Sequence, residues 1–475
     1  MPDFHLNSDT TVAAGATIDM PAQGGIGYLV DQGPAGPNFT NDGTIVFTEV
    51  PGQTGATAFE LSPGSGIDWQ AATVDNAGHL TVTSQGSAAF LLTESAPAVT
   101  NEGAITVTAA GAAEGVDVAQ KFTVYVSALS SAVTNSGHID ISGAGTATGF
   151  FLGNGAFVTN SGSIDVTGTA AGTVVHGIYS PFPTSVINSG EIVVTDNDPN
   201  IDSVAVHVGG GTTTIQNHGT ITGDIAIEDV NTTTDDSEFQ SIDNDGVING
   251  RIVINVNPIP NVHVTIANNG TINGDIDLGP GAQSFFGQQG VQNGLISGGE
   301  GNDQEWGGAF HDALQGNQGD DILHGMGGDD IVVGGKDNDI QSGDDGDDVV
   351  WGNLGNDTLD GGNGNDQVRG GQGDDLISGG AGNDFISGDR GNDTETGGPG
   401  ADIFHGSQDA GIDRVLDFNL AEGDRVQLDP GTTYTVSQVG ADTVIDMGAS
   451  NGAPNQMILV GVQMSTLTGN WIFEG

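Results

Sequence analysis

The sequence predicts an all-β protein: a continuous parallel β-solenoid made of a β-helix, then a β-roll, then a C-terminal β cap. Three observations predict it. An apolar-x-Asn-x-Gly-x-Ile motif recurs through residues 39–297, and an unbroken nine-residue Gly-Asp period follows at 298–405. The chain also has 81 Gly but only 18 Phe, 4 Trp and 4 Tyr in 475 residues. That is too little apolar bulk for a thick globular core, and it suits thin repetitive β architecture.

The Asn-Gly motif occurs as FTNDGTIVF (39–47), VDNAGHLTV (74–82), VTNEGAITV (99–107), VTNSGHIDI (133–141), VTNSGSIDV (158–166) and VINSGEIVV (186–194). Three later copies are IQNHGTITGDI (215–225), IDNDGVINGRI (242–252) and IANNGTINGDI (266–276). Their asparagines, Asn41, Asn76, Asn101, Asn135, Asn160, Asn188, Asn217, Asn244 and Asn268, are 24 to 35 residues apart. Alternating Val, Ile and Thr makes pleated strands with one face inside. Asn and Gly at the bend read as a left-handed corner. About 25 residues is one coil of a three-sided solenoid, so each Asn stacks on its copy about 4.8 Å away. Stacked amides then hydrogen-bond along the column. The reading of these asparagines is structural. The pattern resembles the passenger repeats of bacterial autotransporter-type adhesins.

From Gly298 the chain runs through twelve consecutive nonads, such as GGQGDDLIS (370–378). The first position is Gly in all twelve, and the fourth is Gly in all but Phe310 and Asp337. The sixth is always Asp: Asp303, Asp312, Asp321, Asp330, Asp339, Asp348, Asp357, Asp366, Asp375, Asp384, Asp393 and Asp402. The eighth is apolar except at Glu305, Gln341 and Glu395, so the array is expected to be weakest near its ends and at 334–342. Calcium takes six to eight oxygens from carboxylates and backbone carbonyls. Glycine loops present carbonyls, and the sixth-position Asp adds a charge at a fixed place. Two nonads make one coil, so loops eighteen residues apart are neighbours; Asp321 is expected to pair with Asp339, and Asp330 with Asp348. Six loops per side leave room for roughly ten calcium ions at most. A frame kept over 108 residues argues against a disordered acidic linker.

The nonads resemble the repeats-in-toxin (RTX) family of calcium β-rolls. The resemblance implies type I secretion from a Gram-negative bacterium, unfolded in a low-calcium cytosol and folding outside at the cell surface. The segment DRVLDFNLAEGDRVQL (413–428) resembles the region after the roll in serralysin-type substrates. The end, MILVGVQMSTLTGNWIFEG, resembles the uncleaved C-terminal secretion region; it also reads as a strand cap. The expected divisions are 1–38, an N-terminal cap or first coil; 39–297, the β-helix; 298–405, the calcium β-roll; and 406–475, the cap and secretion region. The first residues, MPDFHLNSDTT, have neither the basic nor the apolar part of a standard signal peptide.

Charge narrows the partners. Seven Lys and Arg against 62 Asp and Glu give a formal charge of −55. Such a chain has no means of neutralising a phosphate backbone, so nucleic acid is excluded, and divalent cations are favoured. No run of 18 apolar residues offers a transmembrane helix. Cysteine is absent, which removes disulfides and thiolate sites.

No HExxH and no GxSxG occurs, which argues against the zinc protease and lipase branches. Mannuronan C5-epimerases join a β-helix to calcium nonads, but their Tyr-Gly-x-Asp-Pro-His signature is missing. The nearest string is HGIYSPFPT (176–184), with His176 and Tyr179 close together, while Lys121 and Arg251 are the only cations before residue 298. The ten histidines show no i, i+4 metal spacing. Trp351 reads as packing against the next coil. The leading expectation is therefore a non-enzymatic, self-associating structural protein of the cell exterior: a surface layer, filament or matrix subunit. An adhesin binding a glycan or host surface through the β-helix is the second expectation, and a polysaccharide C5-epimerase or lyase the third.

Overall fold

The computed structural model describes residues 132–475 apart from 144–145, 153–155, 171–173, 197, 199–201, 210–211, 231–238, 255–262, 288, 408–410 and 451–452. Before residue 132 it describes strands and the corners at 77–78 and 102–103. Among the described residues the regular elements are strands apart from a 3-10 turn at Met464–Thr466, and the chain divides into two compact units, 1–257 with 270–274, and 258–269 with 275–475.

In the first unit a coil contributes three strands, until Thr220–Val230 and Val247–Ile254, where the second and third sides run on as one strand; Ala156–Asn160, Ser163–Gly168 and Val175–Ser180 make one three-stranded coil. The next coil repeats them as Thr184–Asn188, Glu191–Thr195 and Val204–Gly209. All three pair in parallel with the coil before, in an unshifted register that puts Asn160 beside Asn188, Ile164 beside Ile192 and Ile178 beside Val206. The inward columns are therefore like on like. Ile139, Ile164, Ile192, Ile221 and Ile248 form one such column, each with no exposed surface. Thr10–Val12 and Thr17–Ala22 pair in parallel with Phe39–Asn41 and Thr44–Glu49; most of the expected cap at 1–38, and Trp69, lie outside the described residues.

The asparagine column forms as the sequence predicts. Asn76 donates to Asn101, Asn101 to Asn135, Asn135 to Asn160, Asn160 to Asn188, Asn188 to Asn217 and Asn217 to Asn244, at 2.7–2.9 Å. Buried amides are costly when unpaired, and here each is satisfied by its neighbour.

The corner glycine has a different cause from the one expected. Gly137, Gly162, Gly190 and Gly219 are not left-handed. Each instead lies against the carbonyl of the corner one coil earlier: a Cβ on Gly162 would meet the Gly137 oxygen, and one on Gly190 the Gly162 oxygen. Close stacking of coils, not the bend, requires glycine there.

The second unit contains a two-walled roll. Its first wall is Gln304–Gly308, Ile322–Met326, Ile340–Asp345, Thr358–Asn363, Leu376–Ala381 and Thr394–Thr396. The second wall is Leu295–Glu300, Ala313–Gln318, Ile331–Lys336, Val349–Leu354, Gln367–Gln372, Phe385–Arg390 and Ile403–Gly406. Eighth-position residues point inward. The second wall is apolar throughout: Leu314, Val332, Val350, Val368, Ile386 and Phe404 are at most 1% exposed. All three polar exceptions fall on the first wall, in the column Glu305, Leu323, Gln341, Leu359, Ile377, Glu395. They stay inside: Glu305 and Glu395 are fully buried and Gln341 is 2% exposed. The tail continues the roll, with Arg414 pairing beside Thr394 and Val426 lying between Phe404 and Ile472. Thr435–Val439, Asp442–Ser450 and Ala453–Leu459 form an antiparallel meander.

Candidate calcium centre

The nonad loops carry two side-chain ladders, one along each edge of the roll. In the first, the Asp303 N–H donates to Asp321 Oδ1, Asp321 to Asp339, Asp339 to Asp357, Asp357 to Asp375 and Asp375 to Asp393, at 2.8–2.9 Å. In the second, Asp312 donates to Asp330, Asp330 to Asp348, Asp348 to Asp366, Asp366 to Asp384 and Asp384 to Asp402, at 2.7–3.0 Å. The expected pairs Asp321–Asp339 and Asp330–Asp348 are among them. One oxygen of each accepting carboxylate thus staples a coil to its neighbour.

The other oxygen has no protein partner. Oδ2 is buried without a hydrogen bond in Asp303, Asp321, Asp330, Asp339, Asp348, Asp357, Asp366, Asp375, Asp384, Asp393 and Asp402, and in Asp312 the orphan is Oδ1. A buried anionic oxygen left unpaired is expensive. Burial accordingly pushes Asp303, Asp312, Asp321, Asp330, Asp366 and Asp375 up to about 7, and Asp339 to about 8. Asp357, Asp384, Asp393 and Asp402 rise to about 6 and Asp348 also rises, each by burial and each eased by the N–H it accepts.

The cradle explains the invariant first glycine. A Cβ on Gly343 would meet both Asp348 Oδ2 and the Gly361 carbonyl oxygen; on Gly361 it would meet Asp366 Oδ2 and the Gly379 carbonyl. The orphan oxygen and the carbonyl of the following coil face the same small space, which a side chain would fill. Among the described residues no three His, Asp or Glu side chains converge into a self-contained metal cluster. A cation held here draws its remaining oxygens from backbone carbonyls, which is the donor set of a hard ion such as calcium.

Several participants are not evident from the nonad frame. The ladders extend beyond it: Asp393 donates to Asp413 and Asp402 to Asp424, at spacings of 20 and 22 instead of 18 residues. Gln283 precedes Asp303 in the first ladder. The fifth position makes a counter-ladder, in which Asn338 Oδ1 accepts the Asn356 N–H, and Asp347 Oδ1 the Asn365 N–H. Six second or fourth positions are left-handed although they are not glycine: Asn317, Met326, Asp337, Asp344, Asn353 and Asp389. Burial holds Glu305 and Glu395 well above the usual carboxyl range, reinforced by Asp303 and Asp321 around the first, and by Asp413 and Asp393 around the second.

Comparison with known families matches the RTX calcium-binding nonapeptide repeat in four copies, at 306–341, 342–368, 360–395 and 378–412. Residues 306–412 are RTX calcium-binding repeats. Repeats of this family bind calcium and mark secreted proteins, and the chain is a calcium-binding protein of that kind. Among solved structures, the extracellular lipase LipA from Serratia marcescens is similar at 19% identity and a TM-score of 0.18, over 38% of this chain and 39% of the lipase. No curated protein matched. Among the described residues, no helix is long and apolar enough to cross a membrane.

The first unit holds a second cluster. His176 and Tyr179 are joined by His207 and Glu228 from the next coils. Tyr179 stacks on His207 at 4.5 Å, His176 meets Tyr179 edge-on at 4.8 Å, and His207 Nδ1 lies 2.6 Å from Glu228. Burial first, then His207, lowers His176 to about 4; the His207 hydrogen bond lowers Glu228. Arg251 pairs with Asp202 at 2.7 Å, and the Lys121 side chain lies outside the described residues. Trp351, expected to pack, is 40% exposed on the outer face of the second wall.

Proposed function

We propose that the twelve sixth-position aspartates, Asp303 to Asp402, hold the calcium, and that the ions complete the fold of residues 298–405 outside the cell. The observation that carries this reading is the unpartnered, buried carboxylate oxygen repeated in every nonad. When bound, calcium supplies the positive charge that those oxygens lack. Asp413 and Asp424 extend the set past the array. We further propose a structural role: a self-associating, non-enzymatic subunit of a surface layer, filament or matrix, exported by a type I system, with 1–38, 39–297 and 406–475 as its other parts. Calcium loading repeated along the whole array exceeds what one ligand site needs. Negative-stain microscopy with and without millimolar calcium tests it. Ordered polymers only with calcium support it; monomeric particles at high concentration refute it.

A glycan-binding adhesin is the second reading. It is favoured by a shallow cleft of about 750 Å³ on the first wall, lined by Trp306, His324, Met326 and Asp360. Glycan binding by monomers without polymers would establish it. An epimerase or lyase would have to work through His207 and Glu228, and turnover of alginate or pectin would establish that.

A further inference from the structure

Four of the seven basic side chains gather on one wall of the roll, while Arg414 is exposed on the first wall and Lys121 and Arg251 belong to the other unit. Lys336, Arg369 and Arg390 project from the outer face of the second wall, and Arg425 follows in the next strand of that wall. All four are exposed, and among the described residues none is in an ion pair; the pair that Arg251 makes lies in the other unit. Between them lie exposed Ile331, Trp351 and Leu354. Over residues 340–363 the first wall's outer face carries the opposite charge, in exposed Asp345 and Asp360 beside Asp344; Arg414 lies further along that wall. Oppositely charged walls on two sides of one roll make a self-complementary pair of surfaces.

The register sharpens the match. Asp345 is the third position of nonad 343–351, late in its strand, and Asp360 is the ninth position of nonad 352–360, one strand on. On the second wall Arg369 is at the ninth position and Arg390 is late in the next strand. The acidic diagonal thus runs late-to-early and the basic one early-to-late. Because the chain circles the axis in one sense, strands of the two walls run oppositely when seen from one side. Two parallel rolls set wall to wall therefore superpose the diagonals, Arg369 on Asp345 and Arg390 on Asp360. The required axial stagger is one and a half strand spacings, about 7 Å. The same offset lays Lys336 beside Trp306, whose ring is stacked between Phe286 and His324, and Trp351 over Gly327, which has no side chain.

We infer that the second wall of one copy docks on the first wall of the next, in parallel and staggered, as a side-by-side contact. This deepens the self-association reading and rests on it. The occupant is a second copy because the wall needs an acidic, flat, equally spaced partner, and this chain's own opposite wall is one.

The test uses the full chain in calcium. Arg369→Asp with Arg390→Asp should leave calcium stoichiometry and circular dichroism unchanged but abolish polymers, as should Asp345→Arg with Asp360→Arg. All four changes together should restore assembly. The chain has no cysteine, so a mixture of Asp345→Cys and Arg369→Cys chains should cross-link with a bis-maleimide about 10 Å long, the spacing of stacked sheets. Polymers that persist in both charge-reversed variants without cross-linking overturn this contact and leave self-association standing. A wild-type chain that never polymerises and never cross-links overturns both. If reversal of Arg369 and Arg390 instead removes binding to an acidic polysaccharide while polymers persist, the wall is a glycan site and the pairing is wrong.

Discussion

Replacing Gln341 with Leu should stabilise the calcium-loaded roll. Gln341 lies in the first wall's interior between Leu323 and Leu359, 2% exposed, and neither Nε2 nor Oε1 has a partner. Leaving buried amide groups unpaired costs about 1–3 kcal/mol. Leu has similar size, matches both neighbours in the column and adds apolar burial. The expected gain is about 2 kcal/mol, roughly 30-fold in the folding equilibrium, and for a unit of this size about 4–8 °C in Tm. Thermal melts followed by circular dichroism in saturating calcium read it directly. An unchanged or lower Tm would refute the reasoning. It would mean the amide has work that the column does not show, such as giving its oxygen to an ion beside Asp339, whose Oδ2 faces the same glycine, Gly334.

Three further outcomes are expected. Gly361→Ala puts a methyl against Asp366 Oδ2 and the Gly379 carbonyl, so calorimetry should show fewer calcium ions bound than in the wild type; unchanged stoichiometry would argue that the cradle is not the ion's place. Asn188→Ala removes the amide bonds to Asn160 and Asn217 and leaves Asn217 Oδ1 without its donor; it should lower stability by about 3 kcal/mol, or about 6–12 °C in Tm, a loss that differential scanning calorimetry would detect. In chelator, the ladder carboxyls hold protons more tightly when folded (about 6 to 8) than at the ordinary value of 3.8. The stability this gives is fully present below pH 3.8 and is lost as pH rises through 6 to 8. Metal-free protein should therefore show more β structure at pH 5 than at pH 8.5, and the opposite trend would contradict the burial of these groups.

The ladder aspartates and the asparagine column were legible in the sequence because a parallel solenoid puts like on like. A residue type that recurs at a fixed phase must stack, whatever the loops do. What escaped reading lies where that logic lapses. Asp413 and Asp424 join the ladders at spacings of 20 and 22 residues, where a changed loop length hides the phase. His207 and Glu228 reach His176 and Tyr179 across whole coils, and single residues leave no period. The corner glycines were marked correctly for the wrong cause, since a bend and a close carbonyl both select glycine. Glu305, Gln341 and Glu395 read as weak points; the fold keeps them buried on one wall, and the apolar opposite wall supplies the continuous core.

Calcium as the missing partner of the buried aspartate oxygens is tested most directly by amide hydrogen exchange on the full chain, with calcium and with chelator. The amides of Asp303, Asp312, Asp321, Asp330, Asp339 and Asp348, which donate along the ladders, should be protected only with calcium, while those of the asparagine coils, such as Ser161 and Gly162, should be protected in both. Equal protection of the ladder amides in chelator at neutral pH would contradict it.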